Sequence, residues 1–284
     1  VARLAAAGLS VSADAAASFE AKWALAHPEL PLALRFATAP MRPVVSAFAC
    51  LAHEIGHAAW HIVEPEVARS KLQWWAEELS AFAAGKPRHP LTMTLSTWPS
   101  MAQIPADAWS AVIAGALAQR EMLPAASLDA LLGGYRRVHG PLAAIEVMLH
   151  PKLDVEASTQ AANLMRALHE ATWMSEALTR DRLPLPLELL ARHQLARADL
   201  GQPGARRDAA LREHFALLAS HMRALDRRGL AALTAAALQA ACRRSQRAAR
   251  AADPLGEAAS KLDRLPFSSV WAGWRSARRM QASP

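Results

Sequence analysis

Strand-forming side chains are scarce in this chain of 284 residues, which holds a single Tyr and only 6 Phe. β-Branched and aromatic residues suit pleated surfaces, so their shortage argues against a sheet, whereas the abundant Ala, Leu and Arg are strong helix formers. Cysteine is nearly absent too. The two thiols, Cys50 and Cys242, stand far apart in apolar helical surroundings, which excludes a disulfide framework and predicts buried core residues. No apolar run reaches the roughly 18 residues that a membrane span requires; the stretch 229–242 comes closest and is too short. No signal-peptide pattern is seen at the start of the sequence, and the two distant thiols lead to the expectation of a cytoplasmic address. Aspartate is missing altogether from two apolar helical stretches, 44–63 and 160–180.

Charge is present, and it is mostly basic. The formal net charge is +7, with paired arginines at 206–207, 227–228, 243–244 and 278–279. Such a balance can serve anionic ligands. No aromatic-and-basic track and no recognition-helix motif accompanies it, so solvated helix faces, not a nucleic-acid interface, are expected.

Pro and Gly divide the chain into ten to twelve expected helices. Ser12 and Asp14 cap a first helix that ends near His27-Pro28, and a second begins at Pro43 and runs to about Val63. Glu64-Pro65-Glu66 opens a third, with acids at the positive end of its dipole, which stops at Gly85-Lys86-Pro87. Further segments are expected over 91–98, 107–120, 127–149 with an interruption at Gly133-Gly134, and 155–178. After a short piece following Pro186 come three more, at about 206–226, 230–251 and 255–279, the last breaking at Pro266. No repeat is evident, and the whole of 1–284 reads as a single large all-α domain.

One motif invites a metal. His53-Glu54-Ile55-Gly56-His57 spells H-E-x-x-H, in which two histidines on one helix face share zinc and the glutamate polarises the bound water. A third ligand is needed. The metzincin continuation fails, because Trp60 and Val63 occupy its Gly and His positions; Glu77 or Glu78 on the next helix could serve instead. Zinc hydrolases of this type bind substrate beside a sheet, and none is expected here. Glu54-x-x-His57 is also half of a di-iron motif, but no second half exists on another helix. His61 continues the spacing of His53 and His57, as a cavity or core lining would.

Two longer segments carry more information. Leu72-Gln73-Trp74-Trp75 is followed by Gly85 and His89-Pro90, and Asp181-Arg182-Leu183-Pro184-Leu185-Pro186 follows about a hundred residues later, with Tyr135 and Gly140 between. Together they resemble the squalene/phytoene synthase family of head-to-head prenyl synthases. Leu72, Trp74, Trp75, Tyr135, Arg182, Leu185 and Pro186 match its signature, while Asp181 and Pro184 depart from it. The likeness runs over roughly 20–280 and weakens after Gly201. It implies an all-α fold of the isoprenoid (terpenoid) synthase type around a central cavity.

The resemblance also implies two D-x-x-x-D motifs on facing helices, which hold Mg²⁺ against prenyl diphosphates. This chain departs from the family there. Gly56 and Trp60 stand at the first motif, amid His53, Glu54 and His57. Trp173 and Ala177 stand at the second, amid His169, Glu170 and Glu176. A divergent branch of the family keeps the fold while eroding these aspartates, and its mitochondrial member is an assembly factor for respiratory complex I. The first expectation is therefore a catalytically degenerate relative that uses no cofactor. It would bind an isoprenoid or other lipid, or a protein partner, and sit in the cytoplasm or peripherally at the inner membrane. The alternatives are an active Mg²⁺-dependent prenyltransferase and a zinc hydrolase through His53, Glu54 and His57.

Overall fold

Proline and short polar side chains set where the helices begin. Pro43, Pro65, Pro90, Pro99 and Pro254 each lie in a first helical turn, where a missing N–H costs nothing and a fixed φ helps. Ser127, Asp154 and Asp253 accept hydrogen bonds from backbone N–H groups three residues on, and so satisfy donors that helix geometry leaves unpaired. His89 caps through its ring, accepting from the Leu91 N–H at 3.2 Å.

The computed structural model describes residues 15–27, 31–260 and 267–281. Among them there are helices and no strand. A helix over 15–26 (α1) is followed by α2 (Pro31–Leu34), α3 (Arg42–Trp60), α4 (Pro65–Ala83), α5 (Pro90–Ser96), α6 (Pro99–Ala102) and α7 (Ala106–Arg120). Next come α8 (Leu128–Glu146), α9 (Val155–Thr172), α10 (Met174–Thr179), α11 (Leu187–Arg192) and a 3₁₀ turn over Arg197–Gly201. The last four are α12 (Ala205–Ala224), α13 (Ala232–Ala248), α14 (Pro254–Ala259) and α15 (Phe267–Gln281). No helix among the described residues is long and apolar enough to cross a membrane. Cys50 and Cys242 are both buried and free.

Two apolar clusters organise these helices. The first gathers Phe48, Leu51 and Ile55 of α3, Leu72, Trp75 and Phe82 of α4, and Trp109 of α7. The second gathers Leu164 and Leu168 of α9, Leu211 and Phe215 of α12, and Leu238 of α13. Helix α8 belongs to both, through Val138 and Leu142 toward the first and Leu131 and Tyr135 toward the second. Consequently α3 and α9 anchor different clusters, and the polar groups between them lie where the clusters meet.

Two sequence expectations need correction. Helix α8 runs unbroken through Gly133, Gly134 and Pro141; packing against α7 and α9 holds a segment whose intrinsic propensity is poor. The stretch expected as one helix over 155–178 is two, because Trp173 adopts φ −100°, ψ 43° between α9 and α10. The expected caps Ser12 and Asp14, the end at Pro28 and the break at Pro266 lie outside the described residues. Gly85, by contrast, ends its helix as expected, with φ +74° in the left-handed region.

Helices α7 and α8 cross very closely. A Cβ added at Gly115 would stand 1.9 Å from the Arg137 carbonyl oxygen. Backbone cannot swing aside as a side chain can, so Gly115→Ala should destabilise the fold by about 1–3 kcal/mol despite alanine's better helix propensity. Chemical denaturation of the variant against the parent chain measures this, and equal midpoints would refute the close packing.

Candidate functional site

Five imidazoles form a row from α1 across α3 to α9. Ring centroids are separated by 5.3 Å from His27 to His53 and 6.3 Å from His53 to His57. The row continues 5.6 Å from His57 to His61 and 5.2 Å from His61 to His169. The spacing of 53, 57 and 61 explains the middle of it, since residues four apart share a helix face. The ends come from other helices, and no local pattern announces them.

These rings are held neutral. Burial lowers His27 and His53 to about 4. Burial, with the charges of Arg166 and Arg180 added, lowers His61 to about 3. His57 and His169 are shifted the same way, chiefly by burial. At neutral pH the row is thus a polar, uncharged lining.

Cations surround it. Glu54 accepts from Lys22 at 2.5 Å and from Lys71 at 2.6 Å. Burial pushes its carboxyl up, but the two lysines overcome this and hold it below the usual carboxylate range. Glu170 is bound more fully still. Arg166 and Arg182 each reach its Oε1 at 2.8 Å, and the Tyr135 hydroxyl donates to Oε2 at 2.7 Å. Burial alone would raise Glu170, yet the two arginines bring it down to about 2. Arg166 also lies 4.4 Å over the Trp60 ring, a cation–π contact, and 3.1 Å from the His61 ring nitrogen. Arg182 donates to the Gln119 carbonyl, and the Gln119 side chain accepts from the Trp60 indole.

Gly56 and Trp60 act as a pair. A Cβ at 56 would stand 3.0 Å from the Trp60 ring, so glycine leaves the room that the indole fills. An aspartate at 56 would meet that ring at once. At the second motif, His169 and Glu170 join the network, and Ala177 is buried in the next helix. Trp173, 41% exposed, and the exposed Glu176, which pairs with Arg180 at 3.6 Å, lie toward the surface.

The donor set suits neither Mg²⁺ nor zinc, the metals of the two alternative readings. Mg²⁺ asks for several free carboxylate oxygens, and Glu54 and Glu170 are each already held by two cations. Zinc would need a third ligand beside His53 and His57. Among the described residues no three His, Cys, Asp or Glu side chains come together as a ligand set. Glu78, one of the sequence candidates, instead accepts from the Arg88 and His89 backbone N–H groups and from the Thr92 hydroxyl. Glu54, bound to two lysines, is not placed as a free general base.

The signature residues divide between structure and site. Leu72, Trp75 and Leu185 are buried, Pro186 is buried ahead of α11, and Trp74 is half-exposed. The His89 ring meets both tryptophans edge-on, at 5.5 and 4.9 Å. Tyr135 and Arg182 converge on Glu170. Sequence reasoning missed Arg166, Gln119, His27, Lys22 and Lys71. Only Arg166 carried a local signal, its four-residue spacing from Glu170.

An apolar cavity of about 200 Å³ lies between α1, α3, α8, α9 and α13, lined by Trp23, Phe48, Ala52, His139, Leu142 and Met165 among others. A neighbouring cavity of about 240 Å³ shares Val45, Glu146, Leu149 and Leu233 with it. This arrangement can be set against known proteins. The family model for squalene/phytoene synthase matches residues 26–275. The chain belongs to that family. No curated protein matches the sequence. Among solved structures, a dehydrosqualene synthase in complex with ligand is similar at TM-score 0.64 and 14% identity, covering 95% of this chain and 97% of that one. The squalene synthase HpnC from Alicyclobacillus acidocaldarius is similar at TM-score 0.56 and 14% identity, covering 91% and 93%. At such identities the likeness establishes the isoprenoid-synthase fold, and this squalene/phytoene synthase family member carries its own lining.

Two outcomes are expected. Glu170→Gln keeps the shape but strips two buried arginines of their counter-charge, and should cost about 3–5 kcal/mol in chemical denaturation. Stability should also depend on pH through the histidines. His27, His53 and His61 remain neutral when folded down to about 3–4 but protonate near 6.5 when unfolded. Their contribution is therefore complete above about 6.5 and is lost as pH falls through about 4, with Glu170 adding a further loss from about 4.5 toward 2. Denaturation midpoints should be level above neutrality and fall between about pH 6.5 and 4, and His61→Asn should lessen that fall.

Proposed function

We propose that this squalene/phytoene-synthase-like protein does not couple prenyl diphosphates and instead binds an isoprenoid or related apolar lipid in the cavity between α1, α3, α8, α9 and α13. The observation that carries this reading is the Gly56–Trp60 pair within a cation-rich, aspartate-free lining. Prenyl transfer in the family depends on metal to offset the departing diphosphate, and that stabilisation dominates the barrier. Here Glu54 and Glu170 are already committed to Lys22, Lys71, Arg166 and Arg182.

Binding without transfer asks less of the site. An apolar chain gains from burial against Phe48, Leu142 and Met165. His139, which lines this cavity and is kept neutral by burial, can meet a polar head without demanding a counter-ion. The solved structures that this chain resembles are those of synthases, so the same fold serves catalysis elsewhere. The zinc-hydrolase alternative lacks its third ligand, and no observation favours it.

Incubation with farnesyl or geranylgeranyl diphosphate and Mg²⁺ is expected to give no head-to-head product; formation of one would overturn the reading. Geranylgeraniol is expected to bind and to raise the melting temperature. Ala52→Phe, which fills the cavity wall, should weaken that binding by about tenfold or more, a loss of about 1.4 kcal/mol.

A further inference from the structure

Helix α15 wears its side chains inside out. Its buried positions are Ser269, Gly273, Ser276 and Ala277, small residues that let it lie close against α13. Gly273 comes near the Ala232 carbonyl oxygen, and the Ser276 hydroxyl donates to the Leu230 carbonyl. The large apolar residues face outward. Phe267 is 78% exposed, Trp271 46% and Trp274 39%. With spacings of four and three they form one stripe, roughly opposite the buried one. Their rings stack in sequence, 6.3 Å from Phe267 to Trp271 and 4.7 Å from Trp271 to Trp274.

The same helix is basic and carries no acid. Arg275, Arg278 and Arg279 are exposed in its second half, with Arg278 placed 5.8 Å over the Trp274 ring. Asp226, whose pKa registers the charge of Arg279, is itself paired with Arg228 at 2.8 Å. The patch therefore keeps a positive balance.

We infer that α15 is a membrane-docking helix, whose Phe267–Trp271–Trp274 stripe enters the interface of an anionic lipid surface while Arg275, Arg278 and Arg279 bind the headgroups. Tryptophan favours the boundary between headgroup and acyl chain, and each arginine adds attraction to anionic lipid. Other occupants fit less well. A second copy of this face would oppose three arginines with three arginines. Single-stranded nucleic acid would need free ring faces for its bases, whereas these rings are stacked on one another. The inference stands apart from what the cavity holds, since the residues of α15 that line the 240 Å³ cavity include Ala277 of the buried face.

Flotation with vesicles tests it, comparing phosphatidylcholine alone with phosphatidylcholine containing a quarter phosphatidylglycerol. The full chain should float with the anionic vesicles, much less with the neutral ones, and less as salt rises. Trp271→Ala/Trp274→Ala should lose most of the binding with an unchanged melting temperature, since both side chains are exposed. Arg275→Ala/Arg278→Ala/Arg279→Ala should weaken it by about fivefold per arginine. Absence of flotation with anionic vesicles, or undiminished flotation of the tryptophan variant, would overturn the inference. So would sedimentation showing a dimer that the tryptophan substitutions dissolve.

Discussion

The Glu170 carboxylate ties together α8, α9 and the link before α11, and through Arg166 it connects the second apolar cluster to α3 of the first. It accepts from Tyr135 on α8, from Arg166 one turn back on α9, and is paired with Arg182 in the link before α11. Arg166 then spans the gap to α3, lying over Trp60 and against His61. A carboxylate buried alone would be costly, and two arginines buried without it costlier. The group is tolerable only as a complete set. That constraint fixes how α3 and α9 face each other, and it leaves neither oxygen of Glu170 free for a metal.

The same accounting explains the histidines. A space ringed by Lys22, Lys71, Arg166 and Arg180 would repel further positive charge, and burial disfavours it again. Imidazole is the side chain that can line such a space with hydrogen-bonding groups while remaining uncharged near neutrality. Aspartates in these places would face strong attraction to the same cations and would collapse into ion pairs with them. The row is thus consistent with its surroundings in a way that a metal-binding carboxylate cluster would not be.

Much of the fold was legible because it is written locally. Pro43, Pro65 and Pro90 mark helix starts, Gly85 marks a stop, and Tyr135 and Arg182 belong to a recognisable pattern. The failures have a common cause, which is that tertiary contacts override local signals. Gly133, Gly134 and Pro141 looked like a break, but packing on two neighbours keeps α8 continuous. Trp173 looked like a helix interior and is a boundary. His53 to His57 looked like a zinc motif because its reading assumed a free Glu54, and Lys22, 32 residues earlier, takes that glutamate. The pairing of Gly56 with Trp60 was visible as two missing aspartates, but not as one filled volume.

A helix normally earns its place by burying its largest apolar residues, and α15 does the reverse. Packing small residues on α13 brings the two backbones close, but it leaves most of Phe267 and a large part of Trp271 and Trp274 in water. Exposing such a stripe to water is unfavourable, and a soluble monomer seldom keeps a contiguous patch of this kind without a use for it. Stacking of the rings recovers only part of the loss. A lipid interface would recover the rest without deforming α13, because the docking face and the packing face are on opposite sides of the same helix.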